Sequence, residues 1–336
     1  MADVVRVAAV GVGRLGLLHA KNLASVVPGA SLSMVIDSDS KAARLAGETL
    51  GVPYSTDLAD ALGDRAIDAV EICTASDAHA DQIVAAAEAG KAIFCEKPIA
   101  LSLQDADRVL EAVERAGVLL QVGHMRRYDS AYLEARRLIT AGEVGRPYMF
   151  RSSSLDGAIS SSRDFLVRRG GLLIDVALHD FDLARWLMED EVREVRATGA
   201  VLLHEALREV GDVDTAVVTL TFQRGGLGVV QASHAAVYGY DIQTEVSGDK
   251  GAVRVGEIRQ SDVWRFGSDG RVAHDTVPDF PARFHGAYLA ELIDWVACIR
   301  EGRVPQATGR DARAALAVAL AARQSLSGGG AAVTVQ

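Results

Sequence analysis

The chain has 336 residues, of which 49% are hydrophobic and 24% charged, the composition of a folded globular protein long enough for two ordinary domains rather than of a disordered chain. Its 45 acidic and 35 basic side chains leave a net charge of -10, which excludes a general affinity for nucleic acid or anionic membranes and makes any anionic ligand dependent on a local basic pocket. Met1-Ala2-Asp3-Val4-Val5-Arg6 runs straight into a strand pattern without the layout of a secretory signal, and the apolar run Ala314 to Ala322 is far short of the ~18 residues that span a bilayer, so a cytoplasmic protein is expected.

Arg6 to Val10 is a short apolar strand that ends in Gly11-Val12-Gly13-Arg14-Leu15-Gly16, after which Leu17 to Leu23 has helical spacing. This is G-x-G-x-x-G in the strand-to-helix context it requires. Gly11 permits the tight turn, Gly13 lets the backbone approach a pyrophosphate, Gly16 lets the helix pack on the strand, and the first N–H groups of the helix face the phosphates. A second strand, Leu32 to Ile36, ends at Asp37, placed to accept from the adenosine ribose hydroxyls and to repel a 2′-phosphate, which favours NAD over NADP. Gly11, Gly13, Arg14, Leu15, Gly16 and Asp37 are therefore the first candidate cofactor contacts.

Strand and helix continue to alternate. Ala69 to Cys73 reads as a strand, Thr74 to His79 as a loop feeding a helix Ala80 to Ala89, and Ala92 to Cys95 as a further strand. Ser102-Leu103-Gln104-Asp105 is a capping signal for a helix that closes near Gly117, and Leu119 to Val122 makes a fifth strand. Strands separated by helices of this length imply right-handed crossovers and a parallel doubly wound sheet, an N-terminal Rossmann domain over 1–123. Ligands of such sheets bind at the carboxyl ends of the strands, so Thr74, Ser76, His79, Glu96 and Lys97 join the candidate cofactor contacts. Glu96-Lys97-Pro98 is the sharpest of these, because the proline stops the strand and biases Lys97 to an extended or turn conformation, holding an ammonium at that edge.

The second half has another rhythm. A helix over Ser130 to Thr140 and a turn from Gly142 to Pro147 lead to strand patterns at Glu194–His204, Val213–Phe222, Leu227–Ala235, Ile242–Ser247 and Ala252–Val255, with few helices between them. The expected fold class is thus α/β, with an α+β domain over 124–336 that carries a large mixed or antiparallel sheet and whose C-terminal helix packs back on the first domain. A sheet with one open face points to a homodimer or homotetramer. Cys73, Cys95 and Cys298 show no metal spacing and read as reduced core residues, and no metal is expected.

Gly170-Gly171-Leu172-Leu173-Ile174-Asp175-Val176-Ala177-Leu178-His179-Asp180 opens with glycines and then shows helical periodicity, which puts Asp175 and His179 four apart on one face. On spacing alone the pair reads as a helix-surface hydrogen bond. A carboxylate beside an imidazole also orients it and raises its basicity, as a base that takes a hydroxyl proton near neutral pH requires. Arg126-Arg127 and Arg168-Arg169 are open to either a surface salt bridge or a polar-ligand contact, and His124 and the remaining histidines read as structural.

These segments together, the glycine turn, Glu96-Lys97-Pro98, Gly123-His124-Met125-Arg126-Arg127-Tyr128-Asp129 and Gly-Gly-x-x-x-Asp-x-x-x-His-Asp, resemble the Gfo/Idh/MocA family of NAD(P)-dependent sugar and cyclitol dehydrogenases over essentially the whole chain. Tyr238-Gly239-Tyr240-Asp241-Ile242-Gln243 and Arg283-Phe284-His285-Gly286-Ala287-Tyr288 resemble its inositol 2-dehydrogenase branch. The resemblance implies that Lys97 hydrogen-bonds the reacting oxygen, Asp175 binds the same region, His179 is the general base, and Arg127, Asp156 and Tyr240 are further substrate-side contacts. It implies NAD-dependent oxidation of a ring hydroxyl of a cyclitol, myo-inositol to 2-keto-myo-inositol, with another cyclitol, amino-cyclitol or pyranose as the alternative substrate. A non-catalytic NAD-sensing regulator is the alternative of another class, and retention of Lys97, Asp175 and His179 argues against it. The chain departs from the resemblance at His124, at Ala75 and in Asp156 to Asp164 with Arg168-Arg169, which puts the exact substrate in question and leaves the redox chemistry intact.

Overall fold

Six strands, β1 Val5–Val10, β2 Ala30–Ile36, β3 Tyr54–Ser55, β4 Ala69–Ile72, β5 Ala92–Glu96 and β6 Leu120–Gly123, run parallel in the order β3-β2-β1-β4-β5-β6. The computed structural model describes residues 4–157, 170–234, 236–256, 261 and 263–336. Central strands β1 and β4 are buried almost throughout, the reason they read as near-continuous apolar runs rather than as alternating ones. The strand order reverses between β1 and β4, so their carboxyl ends open the crevice where such sheets take their ligands.

The crossover helices are α1 Arg14–Ser25, α2 Ser40–Leu50, α3 Leu58–Gly63, α4 His79–Glu88 and α5 Leu103–Ala116. Ser102 caps α5 as its sequence signal requires, its Oγ accepting from Asp105 N–H at 3.0 Å, and Gly117 closes the helix at φ 65°. Residues 38–68, where the pattern gives no element, hold α2, β3 and α3; their short length and polar faces conceal the periodicity.

Seven strands form a second sheet in the order β12-β11-β7-β10-β9-β8-β15, with β7 Pro147–Leu155, β8 Val192–Ala200, β9 Thr215–Phe222, β10 Leu227–Ser233, β11 Asp241–Gly248, β12 Ala252–Val255 and β15 Val333–Thr334. Strands β7 and β10 pair parallel and the other neighbours antiparallel, so the sheet is mixed. A separate hairpin joins β13 Trp264–Phe266 to β14 Val272–His274. The pattern does not announce β7, because its inward positions are Phe150, Ser152 and Ser154, and two serines break the apolar alternation. α6 Ser130–Thr140 stands where expected, with Asp129 Oδ1 accepting from Ala131 and Tyr132 N–H.

The expected single helix after Gly171 is two, Leu172–Asp175 and Leu178–Met188, with Val176 and Ala177 between them. Two longer helices follow, Phe280–Glu301, kinked at Phe284, and Gly309–Ser327. By internal contacts the chain divides into Met1–Tyr128 with Gly286–Leu316, and Asp129–His285 with Ala317–Gln336. Leu292, Trp295 and Val296 accordingly join Val7, Ala9, Val35 and Phe94 in the core of the first unit. Cys73, Cys95 and Cys298 are free thiols, and no helix of the described residues is long and apolar enough to cross a membrane. Ala158 to Asp164, Arg168 and Arg169 lie outside the described residues.

Candidate active site

The glycine turn after β1 has the geometry its sequence requires. Gly11 sits at φ 90°, and a Cβ there would lie 2.5 Å from the Cys73 carbonyl oxygen. At Gly16 a Cβ would fall 1.9 Å from the Gly11 carbonyl oxygen, so α1 crosses the turn at a distance only glycine allows. Gly13 is different: a Cβ there meets nothing within 4 Å, and the residue heads α1 with no side-chain cap on the first N–H groups. Unspent donors and open space at one helix N-terminus fit a pyrophosphate. Arg14 is exposed beside this opening and Leu15 half-buried.

Asp37, at the end of β2, accepts from Val12 N–H with Oδ2 at 2.8 Å and from Asp39 N–H with Oδ1 at 2.9 Å. The carboxylate is thereby tied to the glycine turn while each oxygen keeps lone pairs for ribose hydroxyls. Asp37→Ala should raise the KM for NAD by about 10- to 100-fold, the worth of hydrogen bonds to a charged group, and should shrink the NAD over NADP preference in kcat/KM. An unaltered preference would remove Asp37 from the cofactor site.

The next strand ends carry the other candidates. Thr74 Oγ1 donates to Gln82 Oε1 at 2.6 Å, and Ser76 is half-buried in the same loop. His79 begins α4 as a buried brace, Nδ1 lying 2.7 Å from the Pro98 carbonyl oxygen and Nε2 3.2 Å from that of Thr74. Burial pushes its imidazole pKa down although both carbonyls pull the other way. His79 thereby ties the chain just after β4 to the chain just after β5, at the strand edge of the candidate cofactor contacts.

Glu96 is likewise turned inward rather than toward the open edge. It is 5% exposed, with Oε2 accepting from Lys97 N–H at 3.1 Å and Oε1 lying 3.0 Å from Nε2 of the buried His19. Gly123 leaves it room, since a Cβ there would lie 2.8 Å from the Glu96 carboxyl. Lys97 itself is half-buried, directly after β5, and its bond to Pro98 is cis. Arg127 is buried and engaged inside the first unit, donating to the Gln306 carbonyl at 2.9 Å and pairing with Asp311 at 3.1 Å. That engagement makes it a brace of the first unit.

In the second unit, Gly170 and Gly171 take φ of 81° and 83°, open to glycine alone at no cost. Asp212 then caps the helix Leu172–Asp175, both its oxygens accepting from Leu172 N–H, and burial raises its pKa against the pull of the Val213 and Leu172 N–H groups. Asp175 and His179 are 8% and 7% exposed. Asp175 ends the first helix and His179 begins the second, and Val176 and Ala177 between them keep right-handed helical backbone angles.

What places His179 is a residue the sequence reading missed. Asp180 is fully buried and accepts from the hydroxyls of Ser152 and Ser154 on β7, and Thr244 and Tyr132 extend that network. The only sequence signal was the acid next to the histidine. Asp156 follows β7 with its N–H on the Ser233 carbonyl, and its side chain is half-buried. Tyr240 stands edge-on to Phe284 and lines a cavity of about 380 Å³ together with Tyr238, Gln243, Trp264, Thr276 and Arg283. The first unit thus gathers Gly11 to Gly16, Asp37, Thr74, Ser76 and Lys97 on strand ends, and the second holds Asp175, His179, Asp156 and Tyr240.

Comparison with known proteins covers the chain from end to end. Residues 5–124 match the family model described as an oxidoreductase family, NAD-binding Rossmann fold, and residues 136–335 its C-terminal alpha/beta domain. The chain is 41% identical to a scyllo-inositol 2-dehydrogenase (NAD(+)) of Bacillus subtilis over 98% of its length and 96% of the relative's. It is 36% identical to a myo-inositol 2-dehydrogenase of Thermotoga maritima, with 96% of each chain covered. Among solved structures, scyllo-inositol dehydrogenase of Lactobacillus casei with bound NAD(H) and scyllo-inositol superposes with a TM-score of 0.93 at 29% identity, over 99% of both chains.

Proposed function

The chain belongs to the Gfo/Idh/MocA family of oxidoreductases, and on that premise we propose that it oxidises one ring hydroxyl of a cyclitol to a ketone with NAD, myo-inositol to 2-keto-myo-inositol. The observation that carries the reading is full-length similarity to proteins named as inositol 2-dehydrogenases, at 41% and 36% identity, in a chain that keeps Lys97, Asp175 and His179. The glycine turn and Asp37 fit the cofactor: an unfilled helix N-terminus for the pyrophosphate and an anchored carboxylate for the ribose. When bound, the nicotinamide supplies the hydride acceptor.

The protein's own residues supply position and proton transfer. Lys97 donates a hydrogen bond to the reacting oxygen and stabilises the alkoxide character that develops there. His179 takes the hydroxyl proton, and Asp175 binds the same part of the substrate. Tyr240 and Asp156 are further candidates for polyol contacts. Arg127, engaged with Gln306 and Asp311, is a further candidate. The reading includes a cytoplasmic homodimer or homotetramer, supported by outward apolar side chains on the second sheet such as Val217 and Leu227.

A polyol panel followed by NADH absorbance tests the proposal. Myo-inositol should give steady NADH production, with scyllo-inositol the first competitor to compare because one of the most similar relatives carries that name. Turnover of a pyranose with no signal from any inositol would overturn the cyclitol assignment while keeping the family chemistry.

A further inference from the structure

The first unit buries three glutamates under the carboxyl edge of its sheet: Glu71 on β4, Glu96 on β5 and Glu291 on the helix Phe280–Glu301, at 0%, 5% and 0% exposure. His19 of α1 stands at their centre. One of its ring nitrogens and one carboxylate oxygen each of Glu96 and Glu291 lie within 4.8 Å of one another, as do a His19 nitrogen, a Glu71 oxygen and the Cys73 sulfur. Other groups face the cluster from each element around it. Cys73 directly follows β4 and Cys95 lies on β5, the Gln121 amide on β6 donates to the Glu291 backbone carbonyl, and Tyr288 stands edge-on to His19.

The three carboxyls are not equivalent. Glu96 is satisfied by Lys97 N–H and His19, whereas neither oxygen of Glu71 or of Glu291 has a hydrogen-bond partner among the described residues. Two unpartnered buried anions beside a third carboxylate would be strongly unfavourable, and carboxyls in that position take up protons instead. Burial, with the charge of Glu96 second, pushes the pKa of Glu71 well up; burial, then Glu96 and Glu71, does the same to Glu291.

We propose that Glu71 and Glu291 stand as neutral carboxylic acids around the Glu96–His19 pair, and that this uncharged platform fixes the strand end from which Lys97 projects. Were all three ionised, repulsion would drive Glu96 off its two partners, and with it the backbone N–H of Lys97. Glu71 and Glu291 are thus positioning residues for the lysine, a role that rests on the function proposed above.

The sign of the pH dependence follows from linkage. A glutamate titrates near ~4.3 in the unfolded chain and above that in the folded one, so between the two values the folded state binds more protons. Its stabilising contribution is complete below ~4.3 and is lost as pH rises toward the folded pKa. In the full-length protein, Glu71→Gln and Glu291→Gln should each flatten the fall in Tm between about pH 5.5 and 8.5 and should melt several degrees above wild type at the alkaline end. Infrared spectra at alkaline pH should show a neutral carboxyl C=O band that is absent from the double glutamine variant.

Glutamine variants that melt below wild type at alkaline pH, or an absent band, overturn the proposal. So does a stoichiometric metal ion whose chelation lowers Tm, which would make the cluster a cation site. For the positioning role, Glu291→Ala should lower kcat by about 10- to 100-fold at unchanged KM for NAD, and glutamine should restore it. Failure of that rescue refutes the positioning role. If no cyclitol is turned over, the proposed function falls while melting and infrared still decide the protonation of the cluster.

Discussion

As the proposed general base, His179 changed to alanine (His179→Ala) should lower kcat by about three orders of magnitude, while the Kd for NAD should stay within about twofold. The proposed cofactor contacts lie elsewhere: the glycine turn joins β1 to α1 and Asp37 follows β2, whereas His179 lies in the helix Leu178–Met188 next to Asp180, which is held to β7. Removing the imidazole should leave both arrangements in place and take away the proposed proton acceptor. Added imidazole should therefore restore part of the rate. Lys97→Met, which keeps the methylene stem and discards the charge, should cost a similar factor yet show no imidazole rescue, because what is missing is a cation on the reacting oxygen rather than a base. Rescue of the lysine variant and not of the histidine variant would exchange the two roles.

Local physics explains which parts of this were legible in sequence. A buried parallel strand must be apolar throughout, so β1, β4 and β5 announced themselves, and the turn after β1 needs glycine where a Cβ would strike backbone. Asp37 was equally readable, since it ends a strand at a fixed distance from that turn. Long-range partners were not. Arg127 meets Asp311 across 184 residues and Leu172 is capped by Asp212 across 40, and no spacing rule reports either pair. Strand β7 was hidden by its own function, because Ser152 and Ser154 occupy inward positions in order to hold Asp180. Periodicity likewise does not register the irregular turn at Val176 and Ala177, which divides the segment after Gly171 into two helices.

Gly16→Ala and Gly13→Ala, one methyl each and three residues apart, should fail in opposite ways. At Gly16 the added Cβ would stand 1.9 Å from the Gly11 carbonyl oxygen and 3.2 Å from the Cys73 Cβ, contacts with backbone and with a packed side chain that cannot swing aside. The helix must shift, and overpacking of this kind costs about 1–3 kcal/mol or more, so the variant should melt roughly 5 °C or more below wild type and lose NAD affinity as a consequence. At Gly13 the methyl meets no protein atom within 4 Å, and the backbone is extended at φ -64°, ψ -166°, so Tm should stay within about a degree of wild type or rise slightly, since alanine narrows the unfolded ensemble. The methyl would nevertheless occupy the space a pyrophosphate needs above the first turn of α1, and NAD binding should weaken by about two orders of magnitude, the cost of losing close backbone donors to a charged group. Calorimetric melting and NAD titration on both variants separate the two losses. Equal affinity of Gly13→Ala and wild type for NAD would mean that the phosphates do not approach this turn, and the cofactor site would have to be sought at another strand end.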